Sequence, residues 1–394
     1  MKTTTEKKRS TKARKYRNRV IKIVSLLLVI AVTTWFLSEF FLCNANHNTE
    51  RIRGFYLEDE DSLDVVFVGS SEVYCDYAAG LAYDECGFTS YPFSTESNTV
   101  LNFKAIIEEI ERTQSPKLIV IEINGAIYGD QNIQKDVNLR RVSDNLPLNE
   151  NKIELVERVA TSDQIEYYVP FIKYHDSWNN FGSSLTWSIA LLEDRLRGYN
   201  YLKGAKNRTI FYEPKTPNEK LYKANSRQMQ RRMPLFDKAY DGLIEFLDYL
   251  DRKGIDKNRI LFVRVPHIVT EKNYNRYLRG NSVADIVRSY GYQFESFELE
   301  EPEIGLDPYK DFYNIEHMNI YGQQKFTKFF AHYLQDNYGI TPTKLTEEQK
   351  SVWDQATKYY DAYVKYNEQV FKEGKNLIAG EDYLSMREIK KYLK

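Results

Sequence analysis

Residues 63–71 read LDVVFVGSS, and the class of fold can be inferred from this stretch first. The run 63–68 is apolar and rich in valine, is broken only by Asp64, and stops at the Gly-Ser-Ser of residues 69–71. Such a run is typical of a strand that is buried on both faces, as strands of parallel sheets are. Small polar residues directly after a parallel strand lie at the carboxyl edge of the sheet, where α/β proteins bind their ligands. The stretch therefore predicts both a strand and a place for a site.

Two further segments repeat this pattern along the chain. Residues 117–123 read KLIVIEI and end at Asn124, and residues 259–265 read RILFVRV and end at Pro266. Helical periodicity separates and follows these predicted strands, in residues 101–112, 235–250, 281–290, 322–338 and 347–371. Strands that alternate with helices predict an α/β fold with a parallel sheet and a site at the carboxyl ends of the strands.

Charge is unevenly distributed along the 394 residues. Lys and Arg total 55 and Asp and Glu total 56, which gives a net charge of -1. Residues 1–19 hold nine basic residues against one acidic residue, or +8, so the rest of the chain carries -9. A nucleic-acid-binding protein should carry positive charge on its folded body, and this body is acidic. The composition therefore predicts no nucleic-acid partner.

The basic head is followed by a segment suited to a lipid bilayer. Residues 20–41 read VIKIVSLLLVIAVTTWFLSEFF, without a charge between residues 23 and 37. About 20 apolar residues match the thickness of the hydrocarbon core. A cleaved signal peptide and a buried core helix are the competing interpretations of this segment. The residues that follow it lack the small-residue cleavage pattern of a signal peptide. We expect an uncleaved signal anchor over residues 20–43, with the N-terminus cytoplasmic and the body outside the cell membrane.

The expected organisation has six parts. They are a basic cytoplasmic head (1–19), the transmembrane anchor (20–43), a polar stalk (44–62), an α/β domain (63–340), a helical and aromatic insertion within it (about 130–250) and a C-terminal helical extension (341–394). The three cysteines, Cys43, Cys75 and Cys86, have no CxxC or histidine-rich context, so no metal or other cofactor is predicted. Cys75 and Cys86 fit small buried apolar positions, and pairing in an oxidising compartment is the alternative.

Two sequence pieces carry candidate chemistry. Ser71 follows the first predicted strand, where a serine at a strand-to-helix turn exposes its hydroxyl and directs its own N–H at a developing oxyanion. His317 lies in the polar segment 311–319, DFYNIEHMN, directly before an amphipathic helix. A histidine in such a loop suits a general base. An ordinary Gly-Ser-Ser turn and a solvated histidine are the alternatives.

Together these pieces resemble the SGNH/GDSL hydrolase superfamily. More narrowly, VFVGSSEVYC (66–75) and DFYNIEHMNIYGQQKFTKFF (311–330) look like a membrane-anchored branch found in Gram-positive bacteria. That branch is similar to the D-alanyl-lipoteichoic acid biosynthesis and alginate O-acetylation proteins. The resemblance covers roughly residues 60–340 and implies a three-layer α/β/α, flavodoxin-like domain.

The resemblance also assigns roles to residues. Ser71 matches the family's nucleophile and His317 its base. The family has an aspartate three residues before the histidine, and here that position is Asn314. In a serine protease the same change slows turnover about ten-thousandfold. Asp311 or Glu316 are alternative orienting acids, and a Ser–His dyad without a third member is the remaining option.

The family's oxyanion hole is altered as well. It uses the nucleophile's N–H, a glycine in a second block and an asparagine in a third block. The second-block region here, YPFSTESN (91–98), has no glycine, and Asn98 is its candidate donor. Asn124 stands where the third-block asparagine is expected, although Asn-Gly is also a common turn pair.

The expected function is acyl transfer at the cell surface. The resemblance implies an O-acyl esterase or O-acyltransferase that acts on a cell-surface polysaccharide or teichoic-acid-type polymer, with a membrane-bound O-acyltransferase as a partner. The alternative is a non-catalytic SGNH-like protein that binds glycan or serves as a scaffold for that acyltransferase. Asn314 and the missing glycine motivate this alternative, and a soluble secreted lipase is a more distant third.

Overall fold

The computed structural model describes residues 4–45, 48–216, 219–374 and 389–393. The first helices are α1 (Thr4–Ala45), α2 (Asn48–Phe55), α3 (Ser71–Asp76), α4 (Ala79–Cys86), α5 (Val100–Thr113), α6 (Asp130–Ile133), α7 (Asp136–Ser143) and α8 (Glu150–Val159). The later helices are α9 (Ile165–Tyr168), α10 (Pro170–Lys173), α11 (Phe181–Arg197), α12 (Asp237–Lys253), α13 (Tyr274–Ser289), α14 (Ile320–Tyr338) and α15 (Glu347–Lys372). The strands are β1 (Val65–Val68), β2 (Ser90–Pro92), β3 (Leu118–Glu122), β4 (Ile260–Arg264) and β5 (Gln293–Ser296).

The five strands form one sheet in the order β2-β1-β3-β4-β5, and every neighbouring pair is parallel. This confirms the predicted α/β class and the parallel sheet. The strands β1, β3 and β4 lie where the three apolar runs predicted them. The edge strands β2 and β5 were not predicted, because SYP and QFES are short and contain no apolar run that sets them apart from loops.

Helices cover both faces of the sheet. Every residue of β1, β3 and β4 is buried, and successive side chains of a strand point to opposite faces, so neither face is open to solvent. The helix α5 packs against α12, and α14 packs against α4. Four of the five predicted helices correspond closely to α5, α12, α14 and α15, and α13 begins earlier than predicted.

The predicted stalk is wrong. Residues 48–55 form the helix α2, in which Ile52 and Phe55 are buried in the main hydrophobic core. The Phe55 ring stacks on Phe93 with centroids 4.0 Å apart. The polar residues Asn48 and Arg51 of this helix are also buried, and Arg51 donates a hydrogen bond to Asn48 at 2.6 Å. The first helix therefore leads almost directly into the folded body.

The insertion and the C-terminal extension also belong to the body. The helix α12 is the crossover between β3 and β4, so the inserted part ends before it. The helix α15 begins at the N-cap Thr346 with a capping box to Gln349, and its Trp353 lies in the main core. Residues 375–388 of the predicted extension, residues 1–3 of the head and the side chain of Cys43 lie outside the described residues.

The first helix carries the one described segment that is long and apolar enough to cross a membrane, Ala13–Leu42. In the most apolar part of this segment, the rest of the chain buries no residue. Only the end of the helix meets the body, where Phe40, Phe41 and Leu42 are buried. A membrane anchor and a signal sequence both have these properties.

Replacing Phe55 tests whether α2 belongs to the core. We expect Phe55→Ala to lower the free energy of unfolding by about 3–5 kcal/mol, because it removes a buried ring that stacks on another. Denaturant unfolding of the purified chain measures this. Val137→Ala, at a position 49% exposed, is the control and should change it by less than about 0.5 kcal/mol. An equally small change for Phe55→Ala would mean that α2 is not part of the core and would support the predicted stalk.

Candidate active site

The structure brings the two principal candidates together at the carboxyl edge of the sheet. Ser71 is the first residue of α3, directly after β1, and His317 lies in the loop before α14. The Ser71 Oγ lies 2.7 Å from the His317 Nε2, although 246 residues separate them in sequence. This is the separation expected between a nucleophile and its general base.

A close approach of backbone to strand shapes the turn that carries Ser71. A Cβ atom on Gly69 would lie 2.7 Å from the Cβ of Glu122 and from the Cγ2 of Val73. Only glycine therefore lets the chain leave β1 this close to the end of β3. The side chain of Ser70 is buried by this approach, and Ser71 is left partly exposed.

The loop that carries His317 is held at the end that joins α14. The Asp76 Oδ1 at the end of α3 accepts a hydrogen bond from the Met318 N–H at 2.9 Å. Asn319 caps α14 by accepting the N–H groups of Tyr321 and Gly322 at 2.9 and 3.2 Å. Burial raises the pKa of Asp76 well above its ordinary value. The loop is thus fixed to the same short helix that begins with Ser71.

Asn314, three residues before the histidine, contacts the imidazole of His317 through its side-chain amide. Its Oδ1 lies 3.0 Å from the His317 Nδ1. The same oxygen accepts the backbone N–H groups of Glu316 at 2.8 Å and of His317 at 2.9 Å. These two donors orient the amide with its oxygen toward the ring, so Nδ1 carries the proton and Nε2 is free to accept one from Ser71.

Stacking fixes the plane of the imidazole as well. The ring of Tyr313 lies parallel to that of His317, with centroids 5.2 Å apart and an interplanar angle of 4°. The Tyr313 hydroxyl lies 3.4 Å from the Cys75 Sγ. Cys75 is buried, and both it and Cys86 are free thiols, so the alternative of a disulfide between them is wrong.

The two alternative orienting acids are directed elsewhere. The Asp311 carboxylate is buried 2.7 Å from the Lys325 Nζ, and it accepts the N–H of Asp307. Glu316 pairs with Arg276. Neither carboxylate has a hydrogen bond to His317 in the described residues, so the structure contradicts a direct orienting role for both. The charge of Glu316 still acts on His317 through space by raising its pKa.

The two candidate oxyanion donors, Asn98 and Asn124, differ in whether their side-chain N–H groups already have a hydrogen-bond partner. The Nδ2 of Asn98 donates to the Gly69 carbonyl at 3.0 Å, so it supports the turn before the serine and is not directed at a substrate. The Nδ2 of Asn124 is buried and has no hydrogen-bond partner among the described residues. A buried amide N–H without a partner is costly, and it is the expected state of a donor whose acceptor arrives with the substrate.

A cluster of buried charge lies beneath Ser71, and the sequence reasoning missed it. The Ser70 hydroxyl donates to Glu72 and lies 3.0 Å from Glu122 Oε2. The Nε2 of His267 and the Nη2 of Arg276 lie 3.7 and 3.9 Å from Glu72 Oε1. Glu122 is the one charged residue in the run LIVIE, and a charge inside a buried strand was the signal that could have found the cluster.

The environment sets the charges of these groups. Burial and the neighbouring charge of Glu72 raise the pKa of Glu122. Burial acts on Glu72 in the same direction, but His267, His317 and Arg276 outweigh it and lower its pKa. Burial also lowers the pKa of His317, against the opposing effect of the acids Glu72 and Glu316. At neutral pH the cluster therefore holds an ionised Glu72 beside an unprotonated His317.

A narrow pocket lies beside the buried cluster. Its lining includes Asn124 at the end of β3, Arg264 and His267 at the end of β4, Arg276 on α13, Glu316 in the loop before α14, and apolar side chains such as Ile123 and Val269. The Arg276 Nε is a second buried donor without a hydrogen-bond partner among the described residues. No group of His, Cys, Asp or Glu within the described part of the chain is arranged to hold a metal ion.

Comparison of the chain with models of known protein families and with curated proteins finds no match. The geometry of the site and the fold must therefore support any functional proposal by themselves.

The state of His317 gives a prediction about pH. Only the unprotonated imidazole accepts the serine proton, so the rate at which a fluorophosphonate labels Ser71 should fall as the pH drops through the pKa of His317. Because that pKa is lowered, the rate should stay flat from pH 8 to below about 6.5, the ordinary value of histidine.

Asn314→Asp is the matched variant. A carboxylate beside Nδ1 stabilises the imidazolium, so the falling limb of the labelling rate should move to higher pH. The measurement is the labelling rate between pH 5 and 9 for both proteins. A midpoint that does not move would mean that residue 314 does not contact the active imidazole.

Proposed function

We propose that this protein is a membrane-anchored, SGNH-like acyl-transfer protein in which Ser71 is the nucleophile and His317 the general base. The observation that carries the proposal is the chain of contacts from the Ser71 Oγ through His317 to the Asn314 Oδ1, at 2.7 and 3.0 Å. The strand order 2-1-3-4-5 is that of flavodoxin-like sheets, and the pair lies at the carboxyl edge, where that fold binds ligands. The strand order and the position of the pair both support the proposed superfamily.

The chemistry follows from the geometry. As the Ser71 Oγ forms a bond to the carbonyl carbon of an ester, its proton passes to the His317 Nε2. When the tetrahedral intermediate collapses, the ester C–O bond breaks and the leaving alcohol takes that proton from the imidazolium. A water molecule or a sugar hydroxyl then attacks the acyl-enzyme in the same way and releases Ser71. Water gives an esterase, and a sugar or polyol hydroxyl gives a transferase.

The oxyanion is stabilised by few donors. The side-chain N–H of Asn124 and the backbone N–H of Ser71 are the proposed pair, because Asn98 is held by Gly69. Donors of this kind act on the charge that develops in the transition state, and they need no reorganisation when they are already in place.

The location supports a substrate at the cell surface. The segment Ala13–Leu42 is long enough to span a membrane, and the basic residues before it favour a cytoplasmic N-terminus. The body would then lie outside the cell, where polysaccharides and teichoic-acid-type polymers carry O-acyl groups. The resemblance to the O-acetylation proteins adds a membrane-bound O-acyltransferase as the partner that supplies or receives the acyl group.

The non-catalytic scaffold is the second candidate, and Asn314 favours it. An amide orients the imidazole but adds no charge to stabilise the imidazolium. On this alternative Ser71 would be dispensable, and the body would bind glycan or hold the acyltransferase.

Paired serine and histidine variants separate the two candidates. We expect Ser71→Ala and His317→Ala to lower the hydrolysis of a small acetate ester by about a thousandfold or more, because each removes one member of the nucleophile–base pair. His175→Ala is the control, since the His175 side chain is 64% exposed, and it should leave the rate unchanged. Full surface acylation in cells that carry only Ser71→Ala would establish the scaffold instead.

Asn124 gives a second test. Asn124→Ala should reduce kcat for the same ester by about 10²–10³, the usual effect of losing one oxyanion donor, with little change in KM. The exposed Asn132 is the matched control for an asparagine-to-alanine change. A higher KM at constant kcat would instead assign Asn124 to binding of the ground state.

A further inference from the structure

The helix α11 (Phe181–Arg197) presents a row of large apolar side chains to solvent. The row, here called the α11 stripe, consists of Phe181 (60% exposed), Leu185 (43%), Ile189 (39%), Leu192 (53%) and Leu196 (80%). Spacings of three and four residues place all of them within an arc of about 80° on the helix. A continuous exposed apolar face of this kind marks a surface that meets a partner or a membrane.

The body of the chain covers a different face of the same helix. Ser184, Leu191 and Asp194 are buried, and they point away from the stripe. The exposed positions on the far side, such as Glu193, are polar. The helix thus has a face packed on the protein, a polar face and an apolar face that the described chain leaves largely exposed, with one contact between Phe181 and Phe40.

Contacts at its two ends define how α11 meets α1. The Phe181 ring lies 5.0 Å from the ring of Phe40, and the Arg195 Nη2 lies 3.8 Å from a carboxylate oxygen of Glu39. Phe181 and Arg195 are about 21 Å apart along an α-helix, whereas Glu39 and Phe40 are neighbours. The helix α11 therefore packs on the last turns of the apolar segment of α1.

The contacts of Phe181 and Arg195 lie at the end of the apolar segment of α1. Residues 39 and 40 come just before Leu42, where the segment Ala13–Leu42 ends. Trp178 packs on Phe41 at the same level, with ring centroids 6.4 Å apart, and tryptophan is the residue that favours the membrane–water interface. A helix that packs on a membrane span at this level and carries an apolar stripe has the features of amphipathic membrane-surface helices, which lie in the plane of the interface.

We propose that α11 is an in-plane membrane helix whose stripe inserts into the outer leaflet of the lipid bilayer. The inference rests on one part of the proposed function, that α1 spans the membrane, and is independent of the chemistry at Ser71. The bilayer is the occupant because the stripe is continuous with a helix that already meets the acyl chains. The body is then attached at two places, so it is held in one orientation above the membrane.

Lipid-quenching measurements on the full chain in nanodiscs test this. A fluorophore is attached to Leu192→Cys in a background of Cys43→Ser and Cys86→Ser, which leaves only the buried Cys75. The nanodiscs contain phosphatidylglycerol with or without bromine atoms on its acyl chains. The far-UV circular dichroism of each sample checks that the body is folded.

Two further labelled sites serve as references. Trp35→Cys reports on the membrane span, because Trp35 lies on the apolar part of α1 and is 63% exposed. Tyr240→Cys lies on α12 and is 47% exposed, so it is the matched site away from α1. We expect brominated lipid to quench the labels at 192 and 35 to a similar extent and to leave the label at 240 unchanged.

The other outcomes would overturn the inference in distinguishable ways. Quenching at 35 but not at 192 would leave the anchor intact and refute insertion of α11. Absence of quenching at both sites would refute the membrane span itself. A label at 192 that is protected from brominated lipid and from aqueous iodide alike would mean that protein, such as a second copy of the chain, covers the stripe.

Discussion

The candidate site depends on the close approach between the turn after β1 and the end of β3. Glycine at position 69 permits it, and the hydroxyl of Ser70 fills the gap by bonding to Glu72 and Glu122. Two carboxylates this close in a buried place cannot both be ionised without compensation. His267 and Arg276 provide that compensation for Glu72, and the raised pKa of Glu122 provides it for the second carboxylate. Ser71 follows this buried network in the chain and is itself partly exposed.

The same network influences the pKa of His317. The ionised Glu72 stabilises the imidazolium of His317 through space, which opposes the effect of burial on the pKa of the ring. A charge is thus present near the imidazole even though residue 314 is an amide. Asn314 contributes orientation, since its oxygen is fixed by two backbone N–H groups. Asn314 therefore orients the imidazole, and Glu72 supplies the nearby negative charge.

The insertion links the site to the first helix. One part of it, residues 207–212, pairs with the histidine loop through the Ile320 and Tyr212 N–H groups and places Arg208 over the ring of Tyr313. Another part, α10 and α11, packs on the end of α1. The insertion therefore contacts both the first helix and the loop that carries His317.

The strands β1, β3 and β4, the main helices, the apolar segment and the candidate pair could be predicted from the sequence, because each depends on a local pattern or on a motif. The short edge strands, the buried role of α2 and the network around Glu72 were decided by tertiary structure. These features arise from groups far apart in the chain, whose burial and charge have no local signature. Asn314 shows the difference most clearly: the sequence gives its identity, but only the folded loop decides which way its amide faces.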